Sequence, residues 1–304
     1  MKATFKNPFE VEGRWFKGNL HAHTNESDGI LSPEQIIYLY QKNGYSFLSI
    51  TDHGKLTRRK GDQQPIEGFL LIPGEEIAVG KTDLGTNYHF VILGISDALS
   101  MSGENPQRVI NIARSQGAEV ILCHPYWSSL CSSDLLSLEG YIGIEIYNTT
   151  CFLSIGRGHS LIHWDDLLAR GRRVFGFAVD DAHWHFSKNR PVDTCGGWIM
   201  VRASELTEEA ILKAIREGLF YSSNGPEIKD LRLDGDKISI RTSPVEAICF
   251  ITDSADSGQR FAEVEGGTLT EAEYRLRGSE KYVRIECTDP RSRSAWSNPI
   301  FFEL

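Results

Sequence analysis

From residue 15 to about residue 222 the chain alternates short apolar runs with segments of helical period, and nearly every apolar run ends in a histidine or an acid. The strand candidates are RWFKGNL, FLSI, FLLIPGEE, HFVILGI, AEVILC, IGIEIY, RVFGFAV and WIMV. The helices between them carry their own start and stop signals. Ser32 and Gln35 make a capping-box pattern with Pro33 at the first helical position, and Gly44 stands at the stop. Asn105-Pro106 opens a second helix that Gly117 closes, while WDDLLARG and TEEAILKAIREG end at Gly171 and Gly218. Alternating strands and helices predict an α/β fold with a largely parallel sheet, open or closed into a barrel.

Near SSNGPEI the pattern changes. Only short runs with partial alternation follow, namely IKDLRLD, KISIRT, AICFITD, EYRLRG, YVRIECTD and PIFFEL, parted by turns such as LDGD. They read as a small antiparallel β-sandwich. A chain of 304 residues suits one large domain and one small one. The Asn224-Gly225-Pro226 turn is taken as the boundary, giving domains 1–226 and 227–304.

In a parallel α/β architecture the strand ends share one face, where sites are built. Here those ends carry His21, His23 and Asp28, then Asp52 and His53, then Glu75 and Glu76, then His124, and finally Asp180, Asp181 and His183. His89 opens its strand, so it fits only if that strand is antiparallel or the loop before it folds inward. His21 and His23 are two apart, and on extended backbone both imidazoles point the same way. A lone His-x-His, TDHG or CHP says little. Their recurrence at successive strand ends points to a metal centre. Imidazole with carboxylate suits Zn, Mn or Fe, and the six cysteines contain no Cys-x-x-Cys pair that would favour a thiolate site or a disulfide scaffold. So many donors would fill two or three sites, with a carboxylate bridging two divalent ions about 3.5–4 Å apart.

The motifs LHAHTNESDG, ITDHG, PGEEI, HFVILG, CHPYW and DDAH, in this order, resemble the PHP (polymerase and histidinol phosphatase) superfamily of metallohydrolases. The runs EIYN, WDDLLARGRRVFGFAVDDAH and FYSSNGP are similar to its carbaryl-hydrolase-like branch. The resemblance spans roughly residues 15–226, and the tail matches only loosely the β-sandwich appendage that some members carry. It implies a distorted (β/α)7 barrel with a trinuclear site. His21, His23, Glu76 and Asp181 would hold one metal. Glu76 would bridge to a second with His89 and His124, and Asp28, His53 and His183 would hold the third. Choosing Glu76 over Glu75 rests on the family's carboxylate standing directly before the aliphatic residue, here Ile77. Glu76, Asp181 and His183 are the catalytic candidates on this reading. Asp52 and Asp180 are expected to orient ring N–H donors, and His185 reads as a surface residue.

Such a cluster lowers the pKa of a bridging water toward about 7. The expected function is therefore metal-dependent hydrolysis by a metal-bridging hydroxide, first of all of a small phosphomonoester or phosphodiester. Arg157, His159, Lys188 and Arg190, with KLTRRK at residues 55–60, are loop groups for its oxygens. The alternative is a carbamate, ester or amide hydrolase with apolar walls from Tyr126, Trp127, Trp184 and Phe186. A third reading makes the β-sandwich a binding module for a polymer or partner. The formal net charge of −9 argues against nucleic acid as the main partner and against a membrane surface. No run approaches the ~20 apolar residues of a span. MKATFKNPFEVEGRWF has no signal-type apolar core, so a small-molecule substrate and a cytoplasmic home are expected. The sequence sets no oligomeric state.

Overall fold

The computed structural model describes residues 2–58, 66–99, 101, 104–185, 192–263 and 266–303. The first part of the chain supplies strands β1 (Lys2–Ala3), β2 (Arg14–Asn19), β3 (Phe47–Ile50), β4 (Leu70–Val79) and β5 (Tyr88–Leu93). After these come β6 (Glu119–Leu122), β7 (Gly143–Asn148), β8 (Phe175–Val179), β9 (Trp198–Ala203) and β10 (Phe220–Ser223). Its helices are α1 (Pro33–Lys42), α2 (Pro106–Ser115), α3 (Ser132–Leu136), α4 (Thr149–Ile155), α5 (Leu161–Ala169) and α6 (Glu208–Arg216).

Local chemistry accounts for the helix ends. The Ser32 hydroxyl accepts from Gln35 N while Gln35 Oε1 accepts from Ser32 N, a complete capping box. Asn105 Oδ1 accepts from Gln107 N and Arg108 N at the head of α2. Gly44, Gly117, Gly171 and Gly218 leave their helices at φ between 73° and 85°, which costs glycine nothing.

Strands β9, β2, β3, β4, β5, β6, β7 and β8 lie side by side in that order. The pairs β2–β3, β3–β4, β6–β7 and β7–β8 are parallel. Strand β5 is antiparallel to both neighbours, a departure from regular alternation. The connection from β4 to β5 contains Gly80 and Gly85 at positive φ and no helix, so it makes a hairpin, where a parallel crossover would need a dozen or more residues. The path folds back so that the segment after β8 meets the one after β2. Beyond β2 and β8 the chain forms a parallel bridge, Ala22 to Ala182, with His23 N donating to Ala182 O and Asp181 N to His21 O. Buried aliphatic and aromatic side chains fill both sides of the sheet, including Phe47, Val91, Phe177 and Phe220 on one and Phe90, Leu122, Ile144 and Trp164 on the other.

The tail adds β11 (Ile228–Asp234), β12 (Lys237–Val245), β13 (Ala247–Thr252), β14 (Gln259–Ala262), β15 (Leu269–Arg275), β16 (Tyr282–Thr288), β17 (Ser294–Ser297) and β18 (Ile300–Glu303). Strands β11, β12 and β15 form a separate antiparallel sheet. Alternation along β12 buries Ile238 and Ile240 and turns Ser239 and Arg241 outward. Ile238 and Ile240 share a core with Ile248, Phe250, Val283 and Ile285 of the facing strands. Those strands continue the large sheet, because β17 pairs with β10 and β18 pairs with β1. A buried ion pair also joins tail to front: Arg284 donates through Nε and Nη2 to both oxygens of Asp165 on α5, each at 2.6 Å. Among the described residues no helix is long and apolar enough to cross a membrane.

Candidate metal centre

The segments beyond β2, β3, β6 and β8 and the middle of β4 converge at one end of the sheet. Four donor atoms meet at its centre. His21 Nε2 and His23 Nε2 are 3.1 Å apart, each is 3.2 Å from Glu76 Oε2, and they lie 3.3 and 3.1 Å from Asp181 Oδ1. Donors held by one first-row ion stand roughly 2.8–3.6 Å apart in octahedral or tetrahedral coordination. All four residues are buried. They are the first ligand set expected from the sequence.

Glu76 presents its two oxygens to different partners. Oε2 faces His21, His23 and His53, the last at 3.1 Å. Oε1 lies 2.7 Å from His89 Nδ1 and 3.4 Å from His124 Nε2. That is the arrangement a bridging carboxylate needs. The antiparallel direction of β5 brings His89 there, opposite Ala78 in the register of β4 and β5. Glu75, on the other face of β4, accepts from Leu99 N, and burial raises its pKa.

A third group surrounds Asp28. His183 Nε2 is 3.4 Å from Oδ1, His53 Nε2 is 3.6 Å from Oδ2, and His23 Nδ1 is 3.7 Å from Oδ1. Among the described residues, buried His23 Nδ1 has no hydrogen-bond partner. An orphaned imidazole nitrogen beside a carboxylate and two more imidazoles is a donor set that fits a cation. The loop bearing Asp28 closes tightly: a Cβ on Gly29 would stand 2.6 Å from His23 O.

The charges demand compensation. Burial alone would lower the pKa of His23, but hydrogen bonds and charge from Asp181 and Glu76 override it and raise it to about 9. Burial likewise disfavours ionised Glu76, yet His21, His124 and His23 hold it well below the usual carboxylate range. Hydrogen bonds from His183 and His53 hold Asp28 far down as well. Each imidazolium does here what a divalent ion would do better.

Orienting contacts come from residues that the sequence reading did not single out. His21 Nδ1 donates to Glu145 Oε1 at 2.6 Å, which aims Nε2 at the centre. Glu145 Oε2 accepts from His124 N and from Asn148 Nδ2, and Asn148 Nδ2 also reaches Asp181 Oδ2. A register shift in β7 between Glu145 and Tyr147 explains the pairing. The extra residue brings Glu145 and Asn148 to one face, although they are three apart. An acid inside the apolar run IGIEIYN was the signal available in the sequence. Ser128 hydrogen-bonds His124 Nδ1, and the Asp181 carbonyl accepts from His183 Nδ1. His124 and Asp181 hold φ of 27° and 55°, uncommon backbone for residues other than glycine.

Among the described residues Asp52 and Asp180 bond no imidazole, which corrects the expectation that they orient ring N–H donors. Asp52 accepts from Thr24 N, Thr24 Oγ1 and Ser27 Oγ, so it pins the loop that presents Asp28. Asp180 accepts from Tyr40, Thr149 and the backbone N–H groups of Cys195, Gly196 and Gly197. In both, the oxygens are taken up by donors from other segments that pack against them.

A cavity of about 360 Å³ opens over the cluster. Besides the donors, it is walled by Trp127, Thr150, Cys151, Ser154, Ile155 and His185. Trp127 stands edge-on to His124 with ring centres 4.9 Å apart. His185 stacks on His183 at 5.4 Å, so this exposed residue rims the cavity. Arg157 is not in that lining; it donates to Ser129 and lies over the Tyr126 ring. His159 packs against Tyr147, Phe152 and Trp296 on the other side of α4. Lys188, Arg190 and Phe186 lie outside the described residues, as do residues 59 and 60 of KLTRRK.

No family model matches the chain. Over 145 residues, 43% of this chain and 81% of the relative, it is 26% identical to an uncharacterized protein of Methanocaldococcus jannaschii. A putative metal-dependent phosphoesterase of Bifidobacterium adolescentis aligns over 58% of this chain and 89% of its own, at 15% identity and a TM-score of 0.43. A two-domain protein of Bacteroides vulgatus containing a predicted PHP-like metal-dependent phosphoesterase aligns over 96% of both chains, at 16% identity and a TM-score of 0.52. With that two-domain protein the chain shares its fold, from the strands that bear the histidine cluster to the β-rich tail.

Proposed function

We propose that the chain is a metal-dependent phosphoesterase of the PHP superfamily, hydrolysing a small phosphomonoester or phosphodiester. The observation that carries the reading is Glu76, buried, with one oxygen on His21, His23 and His53 and the other on His89 and His124. Two or three divalent ions (Zn, Mn or Fe) fit the donors, held as His21, His23, Glu76 and Asp181; as Glu76, His89 and His124; and as Asp28, His53 and His183. Bound there, they would activate water and polarise the oxygen under attack. The barrel is read as a distorted (β/α)7 form in residues 1–226, with residues 227–304 as its β-sandwich partner. Six unpaired cysteines suit a reducing compartment, which we take to be the cytoplasm.

The chain's own residues set the geometry. Glu145 and Ser128 fix which nitrogen of His21 and of His124 faces Glu76. Asn148 Nδ2 holds Asp181 Oδ2 and leaves Oδ1 on the imidazoles. Asp181 and His183 are the groups we assign to pass a proton between the attacking water and the leaving oxygen. Trp127 and Ile155 shed water from the mouth of the cavity. Of the expected contacts for substrate oxygens, Arg157 and His159 lie away from this cavity's lining, and Arg190, outside the described residues, remains the proposed one.

One observation favours a second reading, hydrolysis of a carbamate, ester or amide. Among the described residues, the cavity lining contains no lysine or arginine, while Trp127 and Ile155 are apolar. A substrate panel with added Mn, Zn or Fe separates the two. Turnover of p-nitrophenyl phosphate or its bis ester supports the first reading; turnover of naphthyl carbamates alone replaces it with the second.

A further inference from the structure

Helix α4 has a second cavity behind it. Thr150, Cys151, Ser154 and Ile155 line the cavity over the cluster, whereas Thr149, Phe152 and Leu153 line another of about 540 Å³. The second cavity lies where the front of the chain meets the tail, since its lining takes Lys17 and Trp198 from the front and Arg291 and Arg293 from the tail. Its described lining contains no carboxylate, in a chain of net charge −9.

The cations there differ in how they are held. Arg293 donates to Asp289 Oδ2 through Nε and Nη2, so its charge is matched. Arg291 is exposed and has no ion-pair partner among the described residues. The Lys17 ammonium sits 4.0 Å from the centre of the Tyr45 ring and 4.1 Å from that of Trp198, and among the described residues it makes no ion pair. Burial lowers its pKa from the ordinary lysine value. Two aromatic faces stabilise an ammonium without neutralising it. The aromatic part of the wall is Trp198, Tyr147 and Phe152, with His159 tilted against Tyr147 and edge-on to Phe152. Burial also lowers the His159 pKa, which keeps that ring neutral and able to hydrogen-bond.

We infer that this second cavity is a binding site for an organic anion: a flat apolar body against Trp198, Tyr147 and Phe152, with one phosphate, sulfonate or carboxylate between Lys17 and Arg291. The inference does not depend on which ester the metal cluster hydrolyses. It gives the tail a role, because Arg291 comes from the turn between β16 and β17. The wall is also tied to the cluster: Thr149 Oγ1 and the N–H groups of Cys195 and Gly196 all bond Asp180, the neighbour of Asp181.

The test is titration of the full-length, metal-loaded protein with 1-naphthalenesulfonate, which cannot be hydrolysed as an ester, followed by calorimetry. Inorganic sulfate and neutral 1-naphthalenemethanol are titrated in parallel. Saturable one-to-one binding of the sulfonate is expected, with both comparators weaker by at least about tenfold. Lys17→Met and Arg291→Ala should each weaken the sulfonate by about tenfold, the scale of one charge-assisted contact. Trp127→Ala, in the other cavity, should leave it unchanged. Arg291 is exposed, so its variant keeps the test decisive if Lys17→Met fails to fold. Three results would overturn the inference: no saturable binding, equal binding of the neutral alcohol, or binding lost in Trp127→Ala and kept in Arg291→Ala.

Discussion

The two sides of helix α4 carry opposite chemistry. On one side imidazoles and carboxylates crowd within hydrogen-bonding distance, and the described lining has no lysine or arginine. On the other, Lys17, Arg291 and Arg293 face a cavity whose described lining has no acid. Helix α4 separates them, with Thr150, Cys151, Ser154 and Ile155 serving the first side and Thr149, Phe152 and Leu153 the second. The difference shows how one scaffold makes two kinds of demand. The first side has a surplus of acids that only a bound cation or protonated histidines can balance. The second has two cations, Lys17 and Arg291, that make no ion pair among the described residues and that a bound anion would balance.

The largest effect should come from removing the charge that faces both histidine groups. Glu76→Gln preserves shape, and hydrolysis should fall by about 10³-fold or more, roughly 4 kcal/mol of barrier, with at least one ion lost. Steady-state kinetics and elemental analysis of the variant check both. A smaller effect is expected at the residue that holds His21 in its orientation. Glu145→Gln should weaken metal binding by about 10–100-fold without changing the cavity walls, as read from competition with a fluorescent chelator.

The balance of charge also makes metal uptake depend on pH. The folded, metal-free protein holds a proton on His23, whose pKa is raised to about 9, above its unfolded value. That proton is lost as the ion enters, so affinity should rise with pH up to about 9 and fall below it. Zinc titrations in two buffers of different ionisation enthalpy count the protons released. Zero release near neutral pH would mean that the imidazoles are already neutral and the imbalance is not there. The smallest effect belongs to Glu75→Gln, next in sequence but on the other face of β4, where activity should stay within about threefold. If Glu75→Gln and Glu76→Gln exchanged phenotypes, the assignment of faces along PGEEI would be wrong.

What could be read in advance followed local rules. Capped helices such as α1 and α2 carried their stop and start residues in the sequence, and the strand-end histidines fell on one face because parallel strands put them there. Pairing over long distances was not legible. Nothing in HFVILGI says that β5 runs antiparallel, which depends on the short connection after β4. Nor does TTCFLSI read as a helix, since threonine and cysteine are weak formers. It forms because Asn148 Oδ1 caps it at Cys151 N and Cys151 is buried against the site. The tail was legible as antiparallel strands, whereas its pairing through β17 onto β10 is a contact between residues about seventy apart. Arg157 and His159 looked like cavity residues by their place in a loop, and the turn of α4 carries them elsewhere.

The central claim is that the histidine–carboxylate cluster is a polynuclear metal centre. The most direct measurement is metal content per chain by elemental analysis, after chelation and reconstitution with Mn, Zn or Fe and removal of loosely bound ions. The account predicts two or three ions per chain, falling by at least one in Glu76→Gln. Less than one ion per chain in the folded wild-type protein, under every metal, would contradict it.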